Sequence, residues 1–187
     1  IQQLEAGSHF VTNDPFGQIS AGTVAQELLA DYAQASIPTL EQALTFTKEN
    51  HWKVNVEIKS VRSTRKDMTI VEKTVYMIQS MDMEKNVLIS SFNHEYLKKA
   101  KELAPEIETG WLTFAAMKLN RAAVRNSGCS AYHPSLLGLT ESKVRHFQSS
   151  GTAVNVWTVN KKEDLHKMIH WHVDGIITDF PQFLQEF

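Results

Sequence analysis

From residue 51 onward, short runs rich in β-branched residues alternate with stretches of helical periodicity, and this alternation constrains the fold more than any other feature of the chain. The strand-like runs are Lys53–Lys59, Asn86–Ser91, Glu106–Leu112, Gly128–His133, Ala153–Val159 and Val173–Asp179. Helical segments follow them, among them Asp67–Met81, Glu163–His170 and Pro181–Glu186, the last with proline in its first turn. A parallel neighbour cannot be reached through a tight turn, whereas a helix supplies the crossover, so this alternation predicts a parallel α/β sheet. Before residue 51 the texture differs. Gly7–Gly22 shows no clear strand, and Ile37-Pro-Thr39 opens a predicted helix over Leu40–Lys48.

A closed barrel of eight strand–helix units typically takes ~250 residues. Six units in 187 residues leave barrel and open sheet both open; in the barrel reading, a TIM-type (β/α)8 fold, the chain covers roughly the last six strands. The expectation is one domain over residues 1–187, incomplete at its N-terminus, with a chain that opens at Ile1 rather than at methionine. The strands at Lys53–Lys59 and Val173–Asp179 would then face each other across a gap, to be filled by an upstream segment or by a second chain completing the barrel. The 42% hydrophobic content is enough for a substantial core, and no apolar run is long enough to span a membrane. A net charge of -2 gives no electrostatic reason to expect nucleic acid as partner. The lone cysteine, Cys129, cannot form an internal disulfide, which fits a cytoplasmic location and leaves a periplasmic or secreted one open.

Strand alternation places Val54, Val56 and Ile58 on one face of their strand and Asn55, Glu57 and Lys59 on the other. Near the carboxyl end of a barrel strand, Glu57 offers hard oxygen to Mg²⁺ or Ca²⁺ and Lys59 a point charge to phosphate. An ion pair on an exposed edge strand explains the same two residues equally well. Asn155 and Trp157 share a face, so the tryptophan either walls a pocket or fills the barrel core. In Ser91-Phe-Asn-His94, Asn93 reads as a helix cap and His94 as a solvated first-turn residue, at a helix N-terminus of the kind that attracts phosphate. His133 ends its strand at the active rim, as a substrate-contact candidate. His166 and His170 have i, i+4 spacing and, with His172, sit at the opposite end, where a solvated surface is the plainer reading than a metal site. Cys129 has no histidine partner in its sequence context and is not read as a nucleophile.

Five segments, in order, carry a resemblance: Ile37-Pro-Thr-Leu-Glu-Gln-Ala-Leu44, Val54-Asn-Val-Glu-Ile-Lys59, Ile89-Ser-Ser-Phe92, Val156-Trp-Thr-Val-Asn160 and Asp174-Gly-Ile-Ile-Thr-Asp-Phe-Pro181. Together with Leu4-Glu-Ala-Gly-Ser-His-Phe10, they make the chain resemble the glycerophosphodiester phosphodiesterases. The resemblance implies a TIM-type barrel that uses a divalent cation, Mg²⁺ or Ca²⁺, to hydrolyse glycerophosphodiesters to glycerol 3-phosphate and an alcohol. It also implies that Glu57 is a metal ligand, that Lys59 lies at the phosphate and that Trp157 lines the substrate pocket. Ser91, Phe92 and His133 join them as substrate-binding candidates. The family's His-Arg-Gly motif, Glu-x-Asp pair and second catalytic histidine have no match here and are expected upstream of Ile1. His9 lies beyond the place of that histidine and is not promoted to it, so no catalytic residue is assigned within the chain, and the chain by itself is expected to be inactive.

Two other readings stay open at the level of sequence. One is a non-catalytic barrel serving as a binding or assembly module. The other is a sugar-phosphate isomerase or aldolase on the same fold, which would release a carbonyl product rather than glycerol 3-phosphate.

Overall fold

The computed structural model describes residues 6–60, 67–114 and 121–186, so Leu4 and Glu5 of the early matching stretch lie outside the described residues. The chain divides into two compact units, Ile1–His51 and Trp52–Phe187. The first unit holds the predicted helix after Ile37-Pro-Thr39 and, before it, short helices that the sequence did not indicate. It contains α1 (Ser8–Asn13), a 3-10 turn at Gln26–Leu28, α2 (Leu29–Ala33) and α3 (Leu40–Glu49). Phe10 of α1 meets Tyr32 of α2 edge to face at 6.0 Å. Helix α3 starts at Thr39, whose hydroxyl accepts the Gln42 amide while the Gln42 side chain accepts the Thr39 amide, so two otherwise orphaned N–H groups are satisfied at once.

The second unit follows the strand–helix rhythm: β1 (Val54–Glu57), α4 (Thr69–Ser80), β2 (Val87–Ser91), α5 (His94–Leu103), β3 (Glu108–Thr113), α6 (Arg121–Asn126), β4 (Ala131–Pro134), α7 (Glu141–Gln148), β5 (Ala153–Val156), α8 (Lys162–His170), β6 (Gly175–Ile176) and a 3-10 turn at Pro181–Glu186. The six strands pair in sequence order, and every pairing is parallel. This is the arrangement of a partial (β/α) barrel, so the six expected strands are all present and their carboxyl ends share one rim. No described helix is long and apolar enough to cross a membrane.

The last strand is shorter than its apolar run predicts. Main-chain bonds continue through Ile177, whose amide donates to the Val156 carbonyl and whose carbonyl accepts the Val159 amide, each at 2.9 Å; beyond it the Asn160 side-chain oxygen accepts from Thr178 Oγ1 and the Asp179 amide, and its amide nitrogen donates to the Asp179 carboxylate at 2.7 Å.

Register fixes which side chains face which way. Val87, Ile89, Tyr132, Val154 and Val156 are buried on the helix side, where Tyr132 stacks on Phe147 of α7 at 4.1 Å and Trp111 stacks on His94 of α5 at 3.5 Å. The opposite, inner face carries Asn55, Glu57, Ser90, Gly110, His133, Asn155 and Trp157, in agreement with the pairing Glu57↔Ser90, Ser90↔Gly110 and Leu112↔His133. The apolar core therefore lies between sheet and helices, and the chemistry-bearing residues lie on the face away from it.

Ile89 is fully buried in that core. Ile89→Ala is expected to lower the unfolding free energy by about 2–5 kcal/mol, the range for truncating a buried aliphatic side chain. Tyr76→Ala, at a position 74% exposed, should stay within about 0.5 kcal/mol of the parent. Urea denaturation of the two variants in parallel checks both.

Candidate active site

The parallel sheet aims β1, β2, β3 and β5 at a common rim, and the side chains at their carboxyl ends meet there. Glu57 closes β1 on the inner face; Ile58 then turns back into the core, its amide bonded to the Ser90 carbonyl at 2.8 Å, and Lys59 emerges exposed. Glu57, Lys59, Ser60, Phe92 and Phe114 line one open pocket of about 300 Å³. Its apolar wall is formed by Phe92 and Phe114, with the Trp157 ring packed against both. Phe92 and Phe114 stack at 4.2 Å, and Trp157 stands edge-on to both, at 5.5 Å and 5.4 Å. The Trp157 indole N–H donates to the His133 carbonyl at 2.9 Å. A carboxylate and an ammonium thus stand beside an aromatic wall, which suits a ligand with an anionic centre and an organic substituent.

Of the residues singled out in the sequence, Glu57, Lys59 and Phe92 line this pocket and Trp157 packs against Phe92; Ser91 and His133 lie elsewhere. Ser91 points to the helix side and is fully buried, its hydroxyl donating to the Ile58 carbonyl at 2.7 Å and accepting the Asn93 amide at 3.0 Å. It ties β2 to the end of β1 and starts α5, so strand parity turns its side chain away from the pocket. His133 does face inward, but one layer beneath the rim, 1% exposed, with Nε2 2.9 Å from Asn155 Nδ2.

His94, expected to be solvated, is half-buried. Its Nε2 lies 3.0 Å from the Leu112 carbonyl, and burial lowers its pKa against the opposing influence of that carbonyl and of Glu95. Asn93 occupies the cap position of α5 without a capping bond from its side chain. His166, His170 and His172 are exposed, His166 Nδ1 lies 2.7 Å from the Lys162 carbonyl, and Cys129 is buried.

Phe114 was not singled out in the sequence. The signal was there: Gly110, Leu112 and Phe114 alternate along β3 and its extension, so the third of them had to reach the inner rim.

A model of the glycerophosphoryl diester phosphodiesterase family matches residues 3–183. The chain belongs to this family. A glycerophosphodiester phosphodiesterase of Caldanaerobacter subterraneus is 33% identical over 98% of the chain and 75% of its own length. One from Bacillus altitudinis is 28% identical over 89% of the chain and 68% of its own length. Among solved structures, a glycerophosphodiester phosphodiesterase from Parabacteroides distasonis superposes with a TM-score of 0.74 at 26% identity, covering 82% of this chain and 65% of that one. The chain thus spans about two thirds to three quarters of the length of these family members, and it shares the barrel fold of their solved structure.

A divalent cation asks for more than the described residues of the chain supply. Glu57 fits as one hard oxygen donor, yet such a cation takes six or more oxygens, and no group of three His, Cys, Asp or Glu that could hold a metal occurs among the described residues. Among the described residues Glu57 thus offers one donor oxygen and does not by itself make a cation site.

Burial pushes the His133 imidazole down to about 4 from its ordinary 6.5. The unfolded chain then binds the extra proton between these two values, so the contribution is intact above pH 6.5 and is lost as pH falls toward 4. At 1.36 kcal/mol per unit, the loss is on the order of 3 kcal/mol. His133→Gln, which cannot titrate, is expected to lose less stability than the parent over that window. Denaturation curves that stay parallel from pH 6.5 to pH 4 would show that His133 takes no part.

Proposed function

We propose that the protein hydrolyses glycerophosphodiesters to glycerol 3-phosphate and an alcohol with the aid of a divalent cation, Mg²⁺ or Ca²⁺. The observation that supports this reading best is the single pocket in which Glu57 and Lys59 stand beside Phe92 and Phe114 at the carboxyl rim of a family member's sheet. The names of the relatives agree with it.

In this reading each residue has a separate task. Negative charge gathers on the phosphoryl oxygens as the diester is attacked, and the Lys59 ammonium is a mobile point charge able to follow it. Glu57 offers the cation one oxygen, and the bound cation would supply Lewis-acid neutralisation of the same charge. The ring set of Phe92, Phe114 and Trp157 holds an organic substituent and keeps water from that side of the phosphorus, which strengthens the Lys59 interaction by lowering the local dielectric. No histidine lines the pocket among the described residues, so the proton transfers are not assigned to a side chain of this chain.

Release of glycerol 3-phosphate from a glycerophosphodiester, followed across a metal titration, tests the proposal. Glu57→Gln keeps size and removes the charged ligand, so kcat/KM should fall by about 100-fold or more with the melting temperature nearly unchanged. Parent-like turnover at every metal concentration would remove Glu57 from the site. Lys59→Met is expected to lower kcat by about 100-fold, and an unaltered kcat/KM would make that lysine structural.

Trp157→Leu should change the preference between a short and a bulky diester by about tenfold. A large drop in melting temperature with the same preference would return the indole to a core-filling role.

A further inference from the structure

Trp157 stands where β5 stays joined to β4 by main-chain bonds, its amide donating to the Pro134 carbonyl at 3.1 Å and its carbonyl accepting from the Leu136 amide at 2.7 Å, but where the ladder before it is one N–H short. Strands β4 and β5 are in register at Ala131↔Ala153 and Tyr132↔Val154, and pairing resumes as an isolated bridge, Ser135↔Trp157. His133 and Pro134 stand in the interval, opposite Asn155 and Val156. Proline has no N–H to give a ladder, so one bond is missing at this place, while the Pro134 carbonyl still accepts the Trp157 amide.

Side chains occupy the interval on the inner face. Asn155 Nδ2 lies 2.9 Å from His133 Nε2, and the Trp157 indole donates to the carbonyl of the same histidine at 2.9 Å. One residue thus holds β5 twice, through its ring at Asn155 and through its backbone at Trp157. The pair has one seat. A Cβ at Gly110 would lie 2.6 Å from His133 Nε2, and a Cβ at Gly175 would overlap Asn155 Oδ1, so the strands on either side carry glycine where the imidazole and the carboxamide lie.

We propose that His133 and Asn155 are positioning residues for Trp157: their bond adds a side-chain tie between β4 and β5 where Pro134 has no N–H to give, helps to fix the indole against Phe92 and Phe114, and so sets which substrate substituents the pocket accepts. The proposal rests on the reading of Trp157 as a pocket wall. Neither residue lines the pocket itself, and both act through the indole that the His133 carbonyl holds.

The test uses the full-length enzyme with one short and one bulky glycerophosphodiester, and it reads the indole N–H resonance of Trp157, identified by its disappearance in Trp157→Leu. Asn155→Leu and His133→Leu each delete the bond. Each is expected to move the resonance and to shift the ratio of kcat/KM values in the direction of Trp157→Leu by about tenfold, mainly through KM. The double variant should do no more than either single one, because both break the same bond. His133→Gln, which keeps an acceptor near the carboxamide, should return the ratio to within about threefold of the parent.

A parent-like ratio and an unmoved resonance in both leucine variants would overturn the proposal, as would additive effects in the double variant. Loss of cooperative melting in His133→Gln and Asn155→Leu alike would also overturn it, by showing that the pair only fills the core. If Trp157→Leu itself leaves the ratio unchanged, the pocket reading fails and the selectivity half of the proposal falls with it, while the resonance still decides whether the pair positions the ring.

Discussion

Parallel pairing is the constraint from which the rest follows. A parallel strand must be reached by a crossover, each crossover here is built around a helix, and the helices cover one face of the sheet. That face takes the apolar residues, Ile89, Tyr132, Val154 and Val156 among them. The other face is left for residues whose value is chemical, and uniform strand direction brings their most forward members, Glu57, Phe92, Phe114 and Trp157, to one end. Two separate requirements, burial and convergence, are met by one topological choice.

The sequence disclosed this choice because strands and helices leave different periods. All six strands, and the segregation of Val54 and Val56 from Asn55 and Glu57, were legible from alternation alone. What escaped was decided by contacts between segments distant in sequence. Ser91 shares its motif with Phe92, but strand parity turns one toward the helices and the other toward the pocket, and the Ile58 carbonyl 33 residues away claims its hydroxyl. His94 looked like a surface residue, and only the arrival of β3 beside β2 sets Trp111 against it. The helices α1 and α2 were missed because segments this short carry too little periodicity to stand out from turn-forming residues.

Polar groups on the inner face are treated in two ways. Glu57 and Lys59 stay in contact with solvent, where a charge can be kept for a ligand at little desolvation cost. His133 lies under the rings and is held neutral by burial. A buried imidazole of this kind suits a structural bond better than proton transfer at neutral pH, because it has no tendency to take up the proton it would have to pass on. Depth along the sheet therefore separates solvated charge, at the rim, from a neutral buried imidazole below it.

The clamp made by Asn160 has a consequence for motion. Its carboxamide accepts from Thr178 and from the Asp179 amide and donates to the Asp179 carboxylate, so the segment after Trp157 is tied to the segment after β6 by three bonds at once. Backbone excursions there require all three to open together, which belongs to microseconds or longer, whereas the 69% exposed ring of Phe114 reorients in nanoseconds. The same ring set therefore spans two clocks: Phe114, at its exposed edge, is the quick member, and the segment that follows Trp157 is the slow one.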